Sequence, residues 1–178
     1  MKTHLIALAA LALIALPAAA RAGDAACLWG HLPADKTAED VETYVRSAGE
    51  TPYEFDESLL VTAFGACGVT TQDQIKPAAA AFAAYEMRRG SSEYLRRNHG
   101  ISESRILAAW TGISQTDRNR FSADMLADGI PDGEGDFMRA LLAGLTDRLG
   151  VTGNKAATHQ VMAYITAMIN EEADEKQF

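Results

Sequence analysis

Residues 77–89 read PAAAAFAAYEMRR, and this stretch decides the fold class. Alanine is the strongest helix former, and proline is accepted in the first turn of a helix. We therefore predict a long helix from about Pro77 to Arg89, with Gly90 just beyond its end. Elsewhere no segment alternates apolar and polar residues over the length of a strand. The sequence predicts an all-α protein.

Start and stop signals divide the rest of the chain into further amphipathic segments. Asn98-His99-Gly100 is predicted to be a turn, and the acidic tail from Glu171 to Glu175 is expected to fray. These signals together predict a compact bundle of about six to eight helices. Residues able to cap a helix N-terminus precede the apolar runs: Thr37 (a capping box with Asp40), Asp56, Ser92, Ser102, Ser114 (a capping box with Asp117), Asp136 and Asn154.

Several sequence features recur 81 or 82 residues later in the chain. A tandem duplication explains them as two similar three-helix halves, residues 27–97 and 102–174, paired about a pseudo-twofold axis. The alternative is that helical chains rich in alanine and leucine match themselves by chance, and the residues leave both readings open. The matched pairs are Trp29 with Trp110, Leu32 with Ile113, Leu59-Leu60 with Leu141-Leu142, and Gly68-Val69-Thr70 with Gly150-Val151-Thr152.

The first 22 residues have the pattern of a secretory signal peptide. Lys2 supplies the positive charge, Leu5 to Leu16 is apolar, and Ala20-Arg21-Ala22 fits the small-x-small cleavage pattern. The apolar run is shorter than the roughly 20 residues that span a bilayer. We expect cleavage after Ala22, a single helical domain over residues 23–178 without a transmembrane anchor, and a periplasmic or secreted location.

Two cysteines, Cys27 and Cys67, follow the predicted leader. In an oxidising compartment a pair of cysteines favours a disulfide over a reactive thiol or a metal site. A lipid anchor on Cys27 is the weaker alternative, because Asp24 occupies a position where a lipidation motif needs an aliphatic residue. We therefore predict a Cys27–Cys67 disulfide.

The chain is acidic, with 24 Asp and Glu against 16 Lys and Arg. This balance argues against nucleic acid and anionic membranes as partners, since both require clustered cations. Between Glu86 and Arg120 the balance reverses, with seven arginines against four acids. These arginines either form a patch for an acidic partner or pair with acids of the same fold. The candidate partner-binding patch is Arg88, Arg89, Tyr94, Arg96, Arg97 and His99.

Strong catalytic and cofactor motifs are absent from the sequence. It contains no Gly-rich phosphate loop, Gly-x-Ser-x-Gly elbow, His-Glu-x-x-His or Cys-x-x-Cys. The loop from Asp128 to Asp136 resembles a calcium loop but has Ile130 and Arg139 where oxygen ligands are needed, which favours an ordinary turn. His31, His99 and His159 show no metal-ligand spacing. We therefore predict no catalytic residue, no cofactor and no metal ion.

Three functions fit an exported helical protein without such motifs. We favour an envelope protein that binds another protein as an inhibitor, immunity-type protein or adaptor, because a complementary surface leaves little mark on a sequence. An enzyme acting on an envelope polymer is the second reading, and a holdase that responds to acid or stress, with Tyr53-Glu54-Phe55 as a loose indication, is the third. The enzyme would use carboxylates from Glu54, Asp56 and Glu57 or from Asp132, Glu134 and Asp136.

Overall fold

The computed structural model describes residues 24–127 and 135–177, which form eight α-helices and no strand. The predicted all-α fold and the number of helices are confirmed. The predicted leader, and Asp132 and Glu134 of the acidic loop, lie outside the described residues. The helices are α1 Ala25–His31, α2 Ala34–Ser47, α3 Glu57–Ala66, α4 Gln72–His99, α5 Glu103–Thr111, α6 Gln115–Leu126, α7 Gly135–Leu149 and α8 Lys155–Glu175.

Four of the seven predicted N-caps are confirmed, and three are wrong. The side chains of Asp56, Ser102, Ser114 and Asn154 each accept a backbone N–H at the start of α3, α5, α6 and α8. Thr37 does not start α2, which begins three residues earlier, after Pro33. The Thr37 hydroxyl instead donates to a carbonyl within the helix. Proline explains the earlier start, because its fixed φ is already that of a helix entry.

The predicted cap at the start of α7 is also displaced. Asp136 lies within the first turn of α7, after Gly135, instead of preceding the helix. Its carboxylate accepts from Arg139, three residues later. An acid in this position still stabilises the helix through the macrodipole.

The longest helix, α4, runs without interruption through the predicted break at Gly90 and the predicted cap at Ser92. It begins at a capping box formed by Thr71 and Gln74, before Pro77, and ends where Gly100 adopts a left-handed conformation with φ of +64°. The break prediction is wrong because Gly90 is buried against the Tyr44 ring of α2. Tertiary packing therefore explains this glycine, and helix termination does not.

Helices α4 and α8 form the most extensive helix–helix contact and run antiparallel. Arg88 of α4 pairs with Glu171 near the end of α8. Ser91, three residues later in α4, shares the Tyr44 hydroxyl with Gln160, which lies near the beginning of α8. The predicted fraying of the acidic tail is wrong. The Glu171 carboxylate binds Arg88, and the Glu175 carboxylate accepts the Ala25 backbone N–H at 3.2 Å, which ties the end of α8 to the start of α1.

The order of elements is the same in the two parts of the chain. Helices α1 to α4 and α5 to α8 each run short, medium, medium and long, so each part has four helices instead of the predicted three. The Gly-Val-Thr turns also agree: Gly68 and Gly150 have φ of +76° and +74°, and Val69 and Val151 are buried. In both parts the first helix packs on the third and the second on the fourth. Duplication itself stays a prediction.

The predicted disulfide is present and links α1 to the end of α3. Cys27 and Cys67 have their Cα atoms 6.0 Å apart and are separated by 40 residues. Around them lies the smaller of two apolar cores, which includes Leu28, Ala63 and Phe82. The larger core fills the second part of the chain, with Phe121, Leu145 and Tyr164 among its members. The bridge therefore fastens the short helix α1 to the smaller core.

We expect Gly90→Ala to destabilise the fold by about 2 kcal/mol, a typical overpacking cost. A Cβ atom at this position would overlap the Tyr44 ring, and moving the ring would strain the hydrogen bonds between Tyr44, Ser91 and Gln160. Gly144→Ala in α7 is the matched control, because nothing lies within 4 Å of its Cβ position. It should stabilise the helix by about 0.5–1 kcal/mol. Urea midpoints that shift in the same direction in both variants would contradict this account.

Candidate functional site: the cleft between α2 and α4

A cleft of about 540 Å³ opens between α2 and α4. Its lining residues recur every three or four positions on both helices, so one face of each helix forms a wall. Trp29 of α1 and the start of α5 complete the lining. The α2 wall consists of Ala34, Thr37, Ala38 and Val41, and the α4 wall consists of Arg89, Ser92, Glu93, Arg96 and Arg97, with Ser102 and Glu103 beyond them.

The carboxylates that line the cleft are already paired with cations of the protein. Glu93 accepts hydrogen bonds from Arg96 and Arg97, the shortest from each being 2.6 Å. The hydrogen bond from Arg96, supported by Arg97, lowers the pKa of Glu93 to about 2. The Glu103 carboxylate accepts from Arg88 at 2.9 Å and from the Tyr164 hydroxyl at 2.8 Å. Arg96 and Arg97 therefore compensate the charge of Glu93, whereas Arg88 is shared between Glu103 and Glu171.

Arg89 is the cation of this cleft without an internal partner. Its side chain is exposed, and no described residue gives it a hydrogen bond or an ion pair. Trp29 lines the same cleft and packs with its ring 5.6 Å from that of Tyr85, one turn before Arg89. A cleft that presents an unpaired guanidinium favours binding of a carboxylate.

The structure divides the predicted partner-binding patch. Arg89, Arg96 and Arg97 line the cleft, whereas Arg88 points away from it towards α8 and binds Glu171. Tyr94 and His99 lie outside the lining, with their rings 5.8 Å apart. Pairing within the fold, the alternative reading of these arginines, occurs at Arg88, Arg96 and Arg97. The six residues thus do not form one continuous patch.

Sequence reasoning missed two carboxyl groups in the interface between α2 and α4. Asp40 is only 6% exposed, and burial raises its pKa to about 6. Glu86 is half-buried, and burial together with the nearby Asp40 charge raises its pKa to about 8. Neither side chain makes a hydrogen bond or ion pair with a described residue. The available signal was helical spacing, since Asp40 lies four residues before Tyr44 and so shares one helix face with that aromatic residue.

The carboxylates proposed for an enzyme do not form a pair in the described part of the chain. Glu54, Asp56 and Glu57 are exposed, and Asp56 is used as the N-cap of α3. Hydrogen bonds from the Ser58 side chain and backbone lower the pKa of Asp56. Asp136 is exposed as well. Asp56, Glu57 and Asp136 lie at helix N-termini, where the helix macrodipole favours acids.

One group in the described residues has metal-ligand spacing, and it includes the disulfide. The sulfur atoms of Cys27 and Cys67 and a ring nitrogen of His31 lie within 4.8 Å of one another. His31 is therefore close to two sulfurs, which its sequence spacing did not indicate. Only the thiolate form of cysteine is an effective metal ligand, and here the sulfurs are bonded to each other.

Comparison with protein-family models, curated proteins and solved structures finds no match to this chain. Among the helices that the structure describes, none combines the length and the apolar character needed to cross a membrane. The evidence on function is therefore the cleft, its charges and the disulfide.

Proposed function

We propose that this protein is exported and acts without catalysis, by binding another protein in the cleft between α2 and α4. An inhibitor, an immunity-type protein or an adaptor would act in this way. The observation that carries the proposal is the unpaired Arg89, which lines the same cleft as Trp29, in a cleft whose own carboxylates are already paired. The Cys27–Cys67 disulfide supports work in an oxidising compartment.

The partner that best complements this cleft is an acidic segment that also carries apolar side chains. Arg89 supplies a cation for its carboxylates, while Ala34, Ala38 and Val41 of the opposite wall supply apolar contacts. The volume falls within the range of about 300–1,000 Å³ typical of ligand pockets, enough for a few side chains. Arginine and tryptophan are also the residue types that dominate binding energy at protein interfaces.

The walls of the cleft are linked before any partner arrives. Arg97 of α4 donates to Glu42 of α2 at 2.6 Å and also to Glu93 within α4. This connection joins the two walls through one guanidinium. Binding to a surface that is already ordered loses less conformational entropy, so even a modest contact area gives useful affinity.

We expect Arg89→Glu to weaken binding of an acidic peptide by at least about tenfold, because a side chain that repels the peptide's carboxylates replaces one that attracts them. The probe is a fluorescein-labelled peptide of mixed glutamate and leucine, measured by fluorescence anisotropy. Arg139→Glu in α7 is the matched control, since it makes the same charge change outside the cleft lining. Equal losses in both variants, or equal binding of a lysine-and-leucine peptide, would contradict the proposal.

The enzyme alternative has one observation in its favour. Burial raises the pKa of both Asp40 and Glu86, as a general acid at neutral pH requires. Neither residue lines the cleft, so no substrate-sized space adjoins them there. Release of fragments from an envelope polymer by the wild type, abolished by Glu86→Gln, would support this second candidate.

A further inference from the structure

Asp40 and Glu86 bring two acidic side chains into the interface between the cleft walls. Each lies one helical turn before a residue of the closest contact there, the packing of Tyr44 on Gly90. Asp40 is almost completely buried, and no ion pair with a described residue reaches either carboxyl group. Two ionised carboxylates in such a place are disfavoured by desolvation and by mutual repulsion.

Two tyrosines, which are uncharged at neutral pH, lie close to this pair. Tyr44 comes from α2, and burial raises its pKa. Tyr53, from the segment after α2, has its pKa raised by burial, by the hydrogen bond to Glu39 and in part by the charge of Asp40. Gln160 reaches the interface from α8 through the Tyr44 hydroxyl.

Two of the nearby cations are held by other acids, and the third, Arg89, lies three residues after Glu86 but forms no salt bridge with it in the described structure. Lys36 binds Glu39 at 3.1 Å. Arg97 binds Glu42 and Glu93. No salt bridge in the described residues reaches Asp40 or Glu86. The pair therefore relieves its repulsion by keeping protons, because no cation is within salt-bridge distance to compensate it.

We propose that protonation of Asp40 and of Glu86 keeps α2 packed against α4, so that the cleft loses its binding shape, and its affinity, as the pH rises. This inference rests on the proposed function, because it concerns regulation of the same cleft. Four α2 residues form one wall and five α4 residues form the other. A separation of the two helices would therefore change the distance between the walls directly.

The direction of the pH dependence follows from the raised pKa values. In the unfolded chain both carboxyl groups titrate at about pH 4. In the folded protein the pKa of Asp40 is about 6 and that of Glu86 about 8. The stabilisation is complete below the unfolded pKa and is lost as the pH rises through about 6 and then about 8. This is the opposite of the opening on acidification expected of an acid-activated holdase.

The test compares the wild type, Asp40→Asn, Glu86→Gln and the double variant between about pH 5 and about pH 9. We expect wild-type affinity for the glutamate-and-leucine peptide to fall about tenfold over this range, the factor that corresponds to one pKa unit. The rate of amide hydrogen exchange in α2, taken relative to the rate in α7, should rise over the same pH range. The double variant should show neither change. Glu57→Gln, which neutralises an exposed acid on α3, should behave like the wild type.

The outcomes separate this inference from the proposed function. Peptide binding that does not vary with pH in the wild type would overturn the inference and leave the proposed function standing. Absence of peptide binding at every pH would overturn both the proposed function and the regulation of binding. In that case, amide hydrogen exchange of α2 that changes with pH equally in the double variant and in the wild type would also show that the pair does not hold α2. Glu86→Gln alone suffices if Asp40→Asn does not fold.

Discussion

Replacing Arg88 by methionine should destabilise the fold by about 3 kcal/mol, the cost of leaving partly buried carboxylates without their cation. Arg88 donates twice to Glu171 of α8, at 2.6 and 3.2 Å, and once to Glu103 of α5 at 2.9 Å. Its side chain is 20% exposed and that of Glu171 only 12%. Burial lowers the pKa of Arg88, but the hydrogen bonds and charge of Glu171 raise it overall. Urea unfolding at neutral pH measures the effect.

Arg96→Met is the control for this prediction. Arg96 lies on the same helix and pairs with Glu93, but its side chain is 60% exposed. Exposed pairs contribute about 0–1 kcal/mol, so the loss should be several times smaller than for Arg88→Met. Adding Glu171→Gln to Arg88→Met should recover part of the stability, since it removes the uncompensated charge. Equal losses at the two arginines would show that α4, α5 and α8 do not depend on the buried cluster.

Replacing both Cys27 and Cys67 by serine should cost about 3–4 kcal/mol in the chain-entropy description of cross-links. The bridge spans 40 residues, so without it the unfolded chain gains considerable freedom. The folded state also loses the covalent attachment of α1, which has only seven residues. An isolated helix of this length is unstable in water, so α1 depends on that attachment and on its packing.

Urea unfolding with and without a thiol reductant measures the stability that is lost when the Cys27–Cys67 disulfide is removed. The reductant should lower the midpoint of the wild type to about that of the double serine variant and should leave the variant itself unchanged. A wild type that unfolds at the same urea concentration in both conditions would show that packing alone holds α1. Peptide binding should weaken in parallel, because Trp29 of α1 lines the cleft.

Much of the local structure could be predicted because its causes lie within a few residues. The caps at Asp56, Ser102, Ser114 and Asn154 depend on a side chain and a backbone N–H of the same turn. The Gly-Val-Thr turns require a left-handed backbone conformation at Gly68 and Gly150, which glycine adopts more readily than other residues. The disulfide followed from the number of cysteines and the expected compartment.

The errors came where a distant element decides the local outcome. Gly90 has the signal of a helix end, yet α4 continues because Tyr44 of α2 needs the space that a Cβ would occupy. The acidic tail has the composition of a frayed end, yet Arg88 and the start of α1 hold Glu171 and Glu175 in place. Helix propensity is a weak preference that such contacts override.

The candidate site shows the same division. A surplus of arginines between Glu86 and Arg120 was visible in the sequence. The sequence did not show which of these arginines remains available, because Arg88 and Arg97 pair with acids of other helices, Glu171 and Glu42. Asp40 had the character of a capping residue, and only the crossing of α2 and α4 placed it opposite Glu86.

By itself, the sequence determined the helical class, four of the eight described helix starts, the disulfide and the acidic charge of this protein. Those properties depend on composition and on interactions within one or two turns. The tertiary structure alone decided that Arg89 stays unpaired in a cleft and that two acids meet without a cation. The physical reason is that charge pairing and burial depend on distances across the bundle, which residue order along the chain does not contain.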